Sequence, residues 1–232
     1  MTLIASDTFT RANSTTSLGN ADTGQPWSIA PLSPGGALWG IDSGKAYVPA
    51  PSMASFVDIS GVPKNIAVVG AGIDTHDVSA DITLSATSPS VGVVAKYVDE
   101  NNFVMAIIYN TTSYGIQPVV RYLGGFTFPA LATPTVTKGA TYTLRVEVTA
   151  TDINVYRDGT PVTTTTLTAP QQAMFAAPAA AGLYLGSGTL GSGPFTNDPG
   201  DSRFDNFTFD ATPVPKRGFR NVGLSRGARS VT

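Results

Sequence analysis

The chain has 232 residues and a formal net charge of −2, with 42% hydrophobic and 13% charged residues. A typical soluble domain carries about 25% charged residues, so uncharged polar side chains must cover much of this surface. Cysteine is absent, which excludes disulfides and thiolate metal sites, and no apolar run reaches the ~18 residues of a membrane span. Residues 1–9 lack a basic segment followed by a long apolar run, so we expect no signal peptide.

Short strand signals recur along the whole chain, as runs of β-branched and aromatic residues bounded by Gly, Pro, Asn or Asp. The predicted strands lie near residues 3–10, 37–41, 45–48, 54–59, 66–73, 78–84, 91–98, 103–109, 116–122, 141–149, 152–157, 162–167, 181–186 and 203–210. A helix is tolerated only in the window 169–181, where Pro170 and Pro178 limit it to about two turns. The pattern therefore predicts one all-β domain.

Two groups of strands have distinct burial patterns. Residues 91–98 and 103–109 are nearly continuous apolar runs joined by a polar loop, which predicts mid-sheet strands buried on both faces. Residues 142–149 instead alternate apolar and polar side chains, which predicts one core face and one wet face. With residues 152–157 and 162–167 they predict a three-strand meander whose second turn is formed by Asp158 and Gly159.

Charge divides the chain into a body and a tail. Residues 1–210 contain sixteen acidic and nine basic residues, a net formal charge of −7, while residues 211–232 contain five basic and no acidic residues. We interpret the tail as an extended C-terminal arm, either a solvated terminus or an assembly arm that orders on an acidic partner. The arm residues are Lys216, Arg217, Phe219, Arg220, Arg226 and Arg229. Their wide spacing falls short of a nucleic-acid-binding patch.

The order of motifs in residues 3–210 resembles that of concanavalin A/laminin G-like domains. The motifs are Asp7-x-Phe9-x-Arg11, Trp27, residues 39–41 (WGI), 44–46 (GKA), 92–97 (GVVAKY), 101–103 (NNF), 142–147 (YTLRVE), Asp158-Gly159 and 202–209 (SRFDNFTF). The resemblance implies a two-sheet antiparallel jelly-roll sandwich. It also implies that the first and last strands are adjacent, so that residues 7–9 pair near residues 204–209.

Catalysis is not expected. Glycan-cleaving members of this fold carry a Glu-rich motif, because hydrolysis needs two carboxylates across the scissile bond. This chain has only Glu100, in a predicted hairpin loop, and Glu147, alone on a predicted strand between Arg145 and Thr149. The single histidine, His76, is predicted in a polar turn, with neither a nucleophile elbow nor the usual partners of a zinc ligand.

A structural calcium site is the one metal site that the resemblance suggests, near the joined terminal strands. Asp7, Asp201 and Asp205 are its candidate ligands. The alternative is that Asp7 pairs with Arg11 or Arg203, and that Asp205 only hydrogen-bonds within the last strand. No cofactor is otherwise expected.

Sugar binding requires aromatic rings that stack on pyranose faces and planar polar groups that hold hydroxyls. Residues of these types are concentrated between positions 109 and 128. The candidates are Tyr109, Asn110, Tyr114, Gln117, Arg121, Tyr122, Phe126 and Phe128. Because the chain contains 2 Trp, 8 Tyr and 11 Phe, part of this set is expected in the core, and Trp27 and Trp39 are expected to be core or loop anchors and not ligand platforms.

The chain also resembles minor tail or receptor-binding proteins of phages that infect actinobacteria. This resemblance implies a non-catalytic virion protein, a minor tail or decoration component, that is assembled in the host cytoplasm and acts outside the cell. Its expected partners are other virion proteins or itself as a homo-oligomer, and cell-surface glycan, with neither nucleic-acid binding nor membrane insertion. The alternatives are a free bacterial carbohydrate-binding module or lectin and, third, a glycan hydrolase.

Overall fold

The computed structural model describes residues 2–29, 38–49, 66–73, 76–85, 90–111, 114–129, 131–186 and 202–211. The strands are β1 (Thr2–Asp7), β2 (Ser28–Ile29), β3 (Gly40–Asp42), β4 (Lys45–Tyr47), β5 (Ile66–Ile73), β6 (His76–Thr83), β7 (Ser90–Asp99), β8 (Asn102–Thr111), β9 (Tyr114–Tyr122), β10 (Gly125–Thr127), β11 (Thr141–Val148), β12 (Asp152–Arg157), β13 (Thr160–Thr166), β14 (Ala179–Gly186) and β15 (Arg203–Ala211). One short helix, α1 (Ala169–Phe175), precedes β14. No helix in the described residues is long and apolar enough to cross a membrane.

The described strands form two antiparallel sheets. The eight-stranded sheet has the order β13-β12-β11-β6-β15-β4-β3, with β1 also paired to β15, and the seven-stranded sheet has the order β10-β9-β8-β7-β14-β5-β2. Asp7 lies opposite Phe207, so the first and last strands are adjacent as predicted. The predicted two-sheet antiparallel jelly-roll sandwich is confirmed.

Most predicted strands are present, with shifts that have local causes. The first strand ends at Asp7 because the Asp7 carboxylate accepts a hydrogen bond from the Phe9 amide at 2.7 Å and Phe9 takes a φ of 53°, which turns the chain. The two-residue β2 and three-residue β10 were not predicted, because such short runs have no readable period. The strand predicted at residues 54–59 lies outside the described residues.

The local turn and helix predictions are confirmed. Asp158 and Gly159 both have positive φ, 51° and 76°, as a two-residue hairpin turn of this kind requires. Helix α1 begins after a capping box formed by Thr168 and Gln171 and ends at Phe175, before Pro178. Its seven residues make the two turns expected.

The prediction of a solvated loop position for His76 is wrong. His76 begins β6 and is fully buried, with Nδ1 against the Ala95 carbonyl oxygen and its ring 4.8 Å from that of Phe209. The strand alternation that places Val78 and Ala80 inward extends back to His76, although its neighbours in sequence are polar.

The main core fills the space between the sheets. It includes both sheets' inward side chains, among them Phe9, Trp39, Leu144, Leu183 and Phe204. Trp39 is fully buried 5.4 Å from Phe204. Trp27 is half-buried against Phe9 and Phe207, so both tryptophans are anchors of the core, as expected.

The seven-stranded sheet is also buried on its outer side. We call the buried side chains there the outer cluster: Ile66, Val68, Val94, Phe103, Met105, Ile107, Val119 and Tyr184. Since Val93 packs in the main core and Val94 in the outer cluster, β7 is covered on both faces as its apolar run predicted. The outer side of the eight-stranded sheet instead carries polar side chains, which we call the polar side: Lys45, Asp77, Asp81, Arg145, Glu147, Tyr156, Arg203 and Asp205.

Candidate functional site

A row of four side chains crosses the end of the seven-stranded sheet. In register, Tyr97 of β7 faces Phe103 of β8, Phe103 faces Arg121 of β9, and Arg121 faces Phe126 of β10. The Tyr97 and Phe103 rings are stacked at 6.2 Å, and Phe103 meets Phe126 edge-on at 6.3 Å. Four neighbouring strands thus place three aromatic residues and one arginine side by side, and we call these four residues the aromatic row.

Arg121 lies inside the aromatic row with only 4% of its surface exposed. Its guanidinium carbon is 4.8 Å from the centre of the Phe126 ring, within the range of a cation–π interaction. Its Nη2 also donates to the Asn101 side-chain oxygen at 3.4 Å. Arg121 therefore contacts the Phe126 ring and helps to position it.

An exposed ring lies next to the Phe126 end of the aromatic row. Phe128 lies nearly parallel to Phe126, with ring centres 5.9 Å apart and planes inclined by 17°, and it is 43% exposed. We call Phe126 and Phe128 the aromatic platform. Leu123, in the adjacent β9–β10 turn, is 68% exposed but belongs to no ring stack. The platform is the place in the predicted binding region where the described side chains offer an aromatic surface to solvent.

The surroundings of Tyr97, at the β7 end of the aromatic row, shift the pKa of its phenol. Burial, followed by the nearby Glu100 and Asp99 carboxylates, raises the pKa of Tyr97 to about 12, while Arg121 acts in the opposite direction. The phenol of Tyr97 is therefore neutral at physiological pH. Tyr97 therefore contributes its packed ring to the aromatic row and carries no negative charge there.

The other predicted sugar-binding residues are distributed differently. Tyr109 is buried and donates to the Gln117 side-chain oxygen at 3.1 Å, while Gln117 donates to the Pro129 carbonyl at 3.1 Å. Tyr122 packs against the main core. The backbones of Asn110 and Tyr114 lie in β8 and β9, but their side chains lie outside what the structure describes. The structure thus brings Arg121 and Phe126 together, while Tyr109 is buried and Gln117 is half-buried, each engaged in a hydrogen bond.

A recess lies at the edge of the eight-stranded sheet, away from the aromatic platform. It encloses about 540 Å³ and is lined by Asn13, Ser14, Thr15, Thr16, Ile41, Asp42 and Tyr47. Ser14 and Ile41 exchange two backbone hydrogen bonds of 2.7 and 2.8 Å, so residues 13–16 extend the sheet beyond β3. We call this recess the edge groove.

The candidate calcium ligands have other partners. Both oxygens of Asp7 accept from Arg11 at 2.7 Å, and one also accepts from the Trp27 indole at 2.7 Å. Asp205 pairs with Lys45 at 2.9 Å and accepts from the Asn206 amide at 2.8 Å, and Asp201 lies outside the described residues. Within the described part of the chain, no three His, Asp or Glu side chains are grouped as metal ligands.

The two glutamates lie on elements of different sheets. Glu147 lies on the polar side, where its carboxylate accepts hydrogen bonds of 3.2 Å from Asn154 and from the Tyr156 hydroxyl. Glu100 is exposed in the β7–β8 hairpin. Neither lines the edge groove.

The predicted division between body and arm falls at the end of β15. Residue 211, the first of the arm, is the last residue of that strand and pairs with Thr2. The arm residues Lys216, Arg217, Phe219, Arg220, Arg226 and Arg229 lie outside the described residues.

Comparison with known proteins identifies the fold and not a family. No family model matches the sequence, and no curated protein matches it. The alginate lyase Aly36B superposes with a TM-score of 0.59 at 15% identity, covering 90% of this chain and 98% of that one. LamAcat from Zobellia galactanivorans gives 0.57 at 14% identity, covering 90% and 97% of the two chains.

A third similar structure is a carbohydrate-binding module. The module CBM66 from Bacillus subtilis superposes with a TM-score of 0.54 at 12% identity, covering 79% of this chain and 98% of that one. At such identities the three structures establish that this chain is a jelly-roll sandwich. They do not assign it an activity.

Sequence reasoning missed the edge groove. Tyr47 was predicted only as part of the strand at residues 45–48, and no periodic signal marks the polar segment at residues 13–16. The Gly40 that faces Tyr47 across β3 and β4 was a local sign of close backbone approach, because glycine within a strand often marks such a place.

Proposed function

We propose that this chain is a non-catalytic, glycan-binding jelly roll that serves in a phage virion as a minor tail or decoration component. The observation that carries glycan contact is the aromatic platform, in which an exposed Phe128 ring is fixed on Phe126. A ring held in place loses little conformational freedom when a sugar stacks on it, which favours binding. Carbohydrate partners are also consistent with the fold that the chain shares with CBM66.

The distribution of carboxylates supports a non-catalytic role. Hydrolysis of a glycosidic bond uses two carboxyl groups that flank the bond. Glu147 is hydrogen-bonded on the polar side and Glu100 is in a hairpin turn at the other sheet. The described glutamates therefore offer no such pair to a sugar on the platform.

The division of charge supports a role in assembly. The body carries a net formal charge of −7 and the 22 residues that follow carry +5. A basic extended segment can order on an acidic surface of a neighbouring subunit. We propose that the arm docks on other virion proteins or on a second copy of this chain.

Glycan contact is tested with the full chain on an array of polysaccharides extracted from actinobacterial cell envelopes. We expect Phe128→Ala to weaken binding at least about tenfold, equivalent to about 1.4 kcal/mol. Leu123→Ala, which removes an exposed apolar side chain from the adjacent turn, is the matched control and should bind like the wild type. Equal binding by all three proteins, or no binding by any, would overturn the glycan proposal.

Assembly is tested by deleting residues 213–232. The truncated body should keep the wild-type unfolding midpoint, because the paired strands end at Ala211. It should no longer be incorporated into particles, as measured by mass spectrometry of purified virions. Normal incorporation of the truncated protein would refute the docking arm, and absence of the full chain from particles would refute the virion assignment.

The alternative is a free bacterial carbohydrate-binding module or lectin. The fold shared with CBM66 favours it, and the aromatic platform would serve it equally. Glycan binding that depends on Phe128, together with absence from purified particles, would support this second function over the first.

A further inference from the structure

The edge groove has a fixed floor made by close packing of backbone. A Cβ atom added at Gly40 would lie 2.2 Å from the Ser14 carbonyl oxygen and 3.0 Å from the ring of Tyr47. Residues 13–16 therefore lie directly on β3, with the Tyr47 ring beside them. Glycine at position 40 is what permits this approach, and the result is a recess whose shape is set by paired strands.

Arg203 positions the polar side chains of the groove, because it pairs with Asp42 and contacts the Tyr47 ring. Asp42 accepts from the Arg203 guanidinium at 3.0 Å and from the Asn13 amide at 3.3 Å, and the Asn13 side-chain oxygen accepts from the Ser43 amide at 3.0 Å. Arg203 lies 4.7 Å from the centre of the Tyr47 ring. The aromatic ring and the carboxylate are thus both positioned before any ligand arrives.

Several hydroxyl groups of the groove remain available. Among the described residues, the hydroxyls of Thr15, Thr16 and Tyr47 have no hydrogen-bond partner, and Thr15 and Thr16 are exposed. Each hydroxyl can donate one hydrogen bond and accept others. The groove therefore combines an aromatic ring with hydroxyls, an amide and a carboxylate, which is the set of groups that holds a polyhydroxylated ligand.

The charges around the groove indicate that this ligand is neutral. Asp42 is paired with Arg203 at 3.0 Å, and the neighbouring Asp205 is paired with Lys45 at 2.9 Å. An anion would have to compete with Asp42 for Arg203, and a cation would have to compete with Arg203 for Asp42. The volume of about 540 Å³ lies within the range of about 300–1,000 Å³ typical of small-molecule sites.

We propose that the edge groove is a second binding site, specific for a neutral saccharide unit, with Tyr47 as the stacking ring and Asn13, Thr15, Thr16 and Asp42 as hydroxyl-binding groups. This proposal is independent of the aromatic platform. The platform lies at the β10 edge of the seven-stranded sheet, and the groove lies at the β3 edge of the other sheet.

The experiment is saturation-transfer NMR on the full chain with separate neutral sugars (glucose, galactose, mannose, rhamnose and arabinose) and two acidic sugars (glucuronate and galacturonate). We expect at least one neutral sugar to bind at millimolar concentration and the acidic sugars to bind more weakly. Failure of every neutral sugar to bind, or a preference for the acidic ones, would overturn the proposal.

Four variants locate the binding. Tyr47→Ala should weaken binding of the neutral sugar at least tenfold, while Tyr156→Ala should not, although Tyr156 is also a half-buried tyrosine of the same sheet with an arginine, Arg145, 4.5 Å from its ring. Thr15→Trp should fill the groove from an exposed position, which keeps the test valid if Tyr47→Ala fails to fold. Phe128→Ala should leave this binding unchanged.

The outcomes separate the two sites. Loss of neutral-sugar binding in Phe128→Ala alone would assign the sugar to the aromatic platform and refute the edge groove. Loss in Tyr47→Ala and Thr15→Trp, with polysaccharide binding by the platform unaffected, supports the groove. Equal losses in Tyr47→Ala and Tyr156→Ala would reduce the effect to general destabilisation and refute the assignment.

Discussion

The two sheets share one core but differ on their outer sides. The seven-stranded sheet buries Phe103, Met105 and Val119 on its outer side, each with 0% of its surface exposed. On the eight-stranded sheet the corresponding positions carry charged and hydroxyl side chains, such as Asp77, which pairs with Arg145. The seven-stranded sheet is therefore buried on both faces, and the eight-stranded sheet is buried only on the face that meets the main core.

This difference affects how much each sheet contributes to stability. Apolar burial contributes roughly 25 cal/mol per Å², so a sheet buried on both sides adds a second source of folding energy. Polar side chains that remain half-exposed contribute little to folding but can meet a ligand. In this molecule the exposed aromatic platform lies at the margin of the doubly buried sheet, and the edge groove lies at the margin of the other.

The largest expected effect is that of Phe103→Ala in the outer cluster. We expect a loss of about 3–5 kcal/mol in the free energy of unfolding, because the ring is fully buried between Tyr97 and Phe126. Tyr156→Ala on the polar side should cost only about 1 kcal/mol. Urea unfolding of both variants measures the difference, and equal losses would show that the outer side is not a second core.

A smaller loss is expected at Asp7, the carboxylate on the inner side of the eight-stranded sheet. Asp7→Asn should cost about 3 kcal/mol, the lower end of the range for a broken buried pair, since Arg11 keeps 27% of its side chain exposed.

EDTA should not shift the thermal midpoint of the wild type. A midpoint that falls with EDTA and recovers with calcium would favour the calcium site at Asp7, Asp201 and Asp205.

Alkaline pH should lower the free energy of unfolding through the ionisation of Tyr97, on the seven-stranded sheet. Because burial raises the pKa of Tyr97 from 10.0 to about 12, the fold favours the neutral phenol, and its contribution is complete below pH 10 and is lost as pH rises towards about 12. Tyr97→Phe should lose less stability over this range than the wild type. Urea midpoints measured across it would contradict the mechanism if the two proteins decline in parallel.

The smallest effect is expected on the polar side. Lys45→Met removes an ion pair with Asp205 in which the two side chains are 39% and 24% exposed, so the loss should be at most about 1 kcal/mol. Added salt should weaken the wild type slightly and the variant less. A loss as large as that of Phe103→Ala would contradict the proposed contrast between the sheets.

The fold could be predicted because its signals are local. Alternation in residues 142–149, the apolar runs before and after the β7–β8 hairpin and the Asp158 and Gly159 turn each fix a strand or a turn within a few residues. The site could be predicted only in part. Arg121 and Phe126 were found because aromatic and planar polar residues are concentrated between positions 109 and 128. The burial of Tyr109 and its hydrogen bond to Gln117, which also contacts Pro129, depend on the pairing of β8 with β9 and were not predictable from residue type.

The sequence by itself determined an all-β chain, its hairpins and the contrast between an acidic body and a basic tail, because strand period, turn conformation and charge are properties of neighbouring residues. Only the tertiary structure decided which distant residues meet. Arg203 reaches Asp42 across 161 positions and joins Asn13 and Tyr47 at the edge groove. Such a meeting depends on strand order, which the local pattern of a strand does not specify.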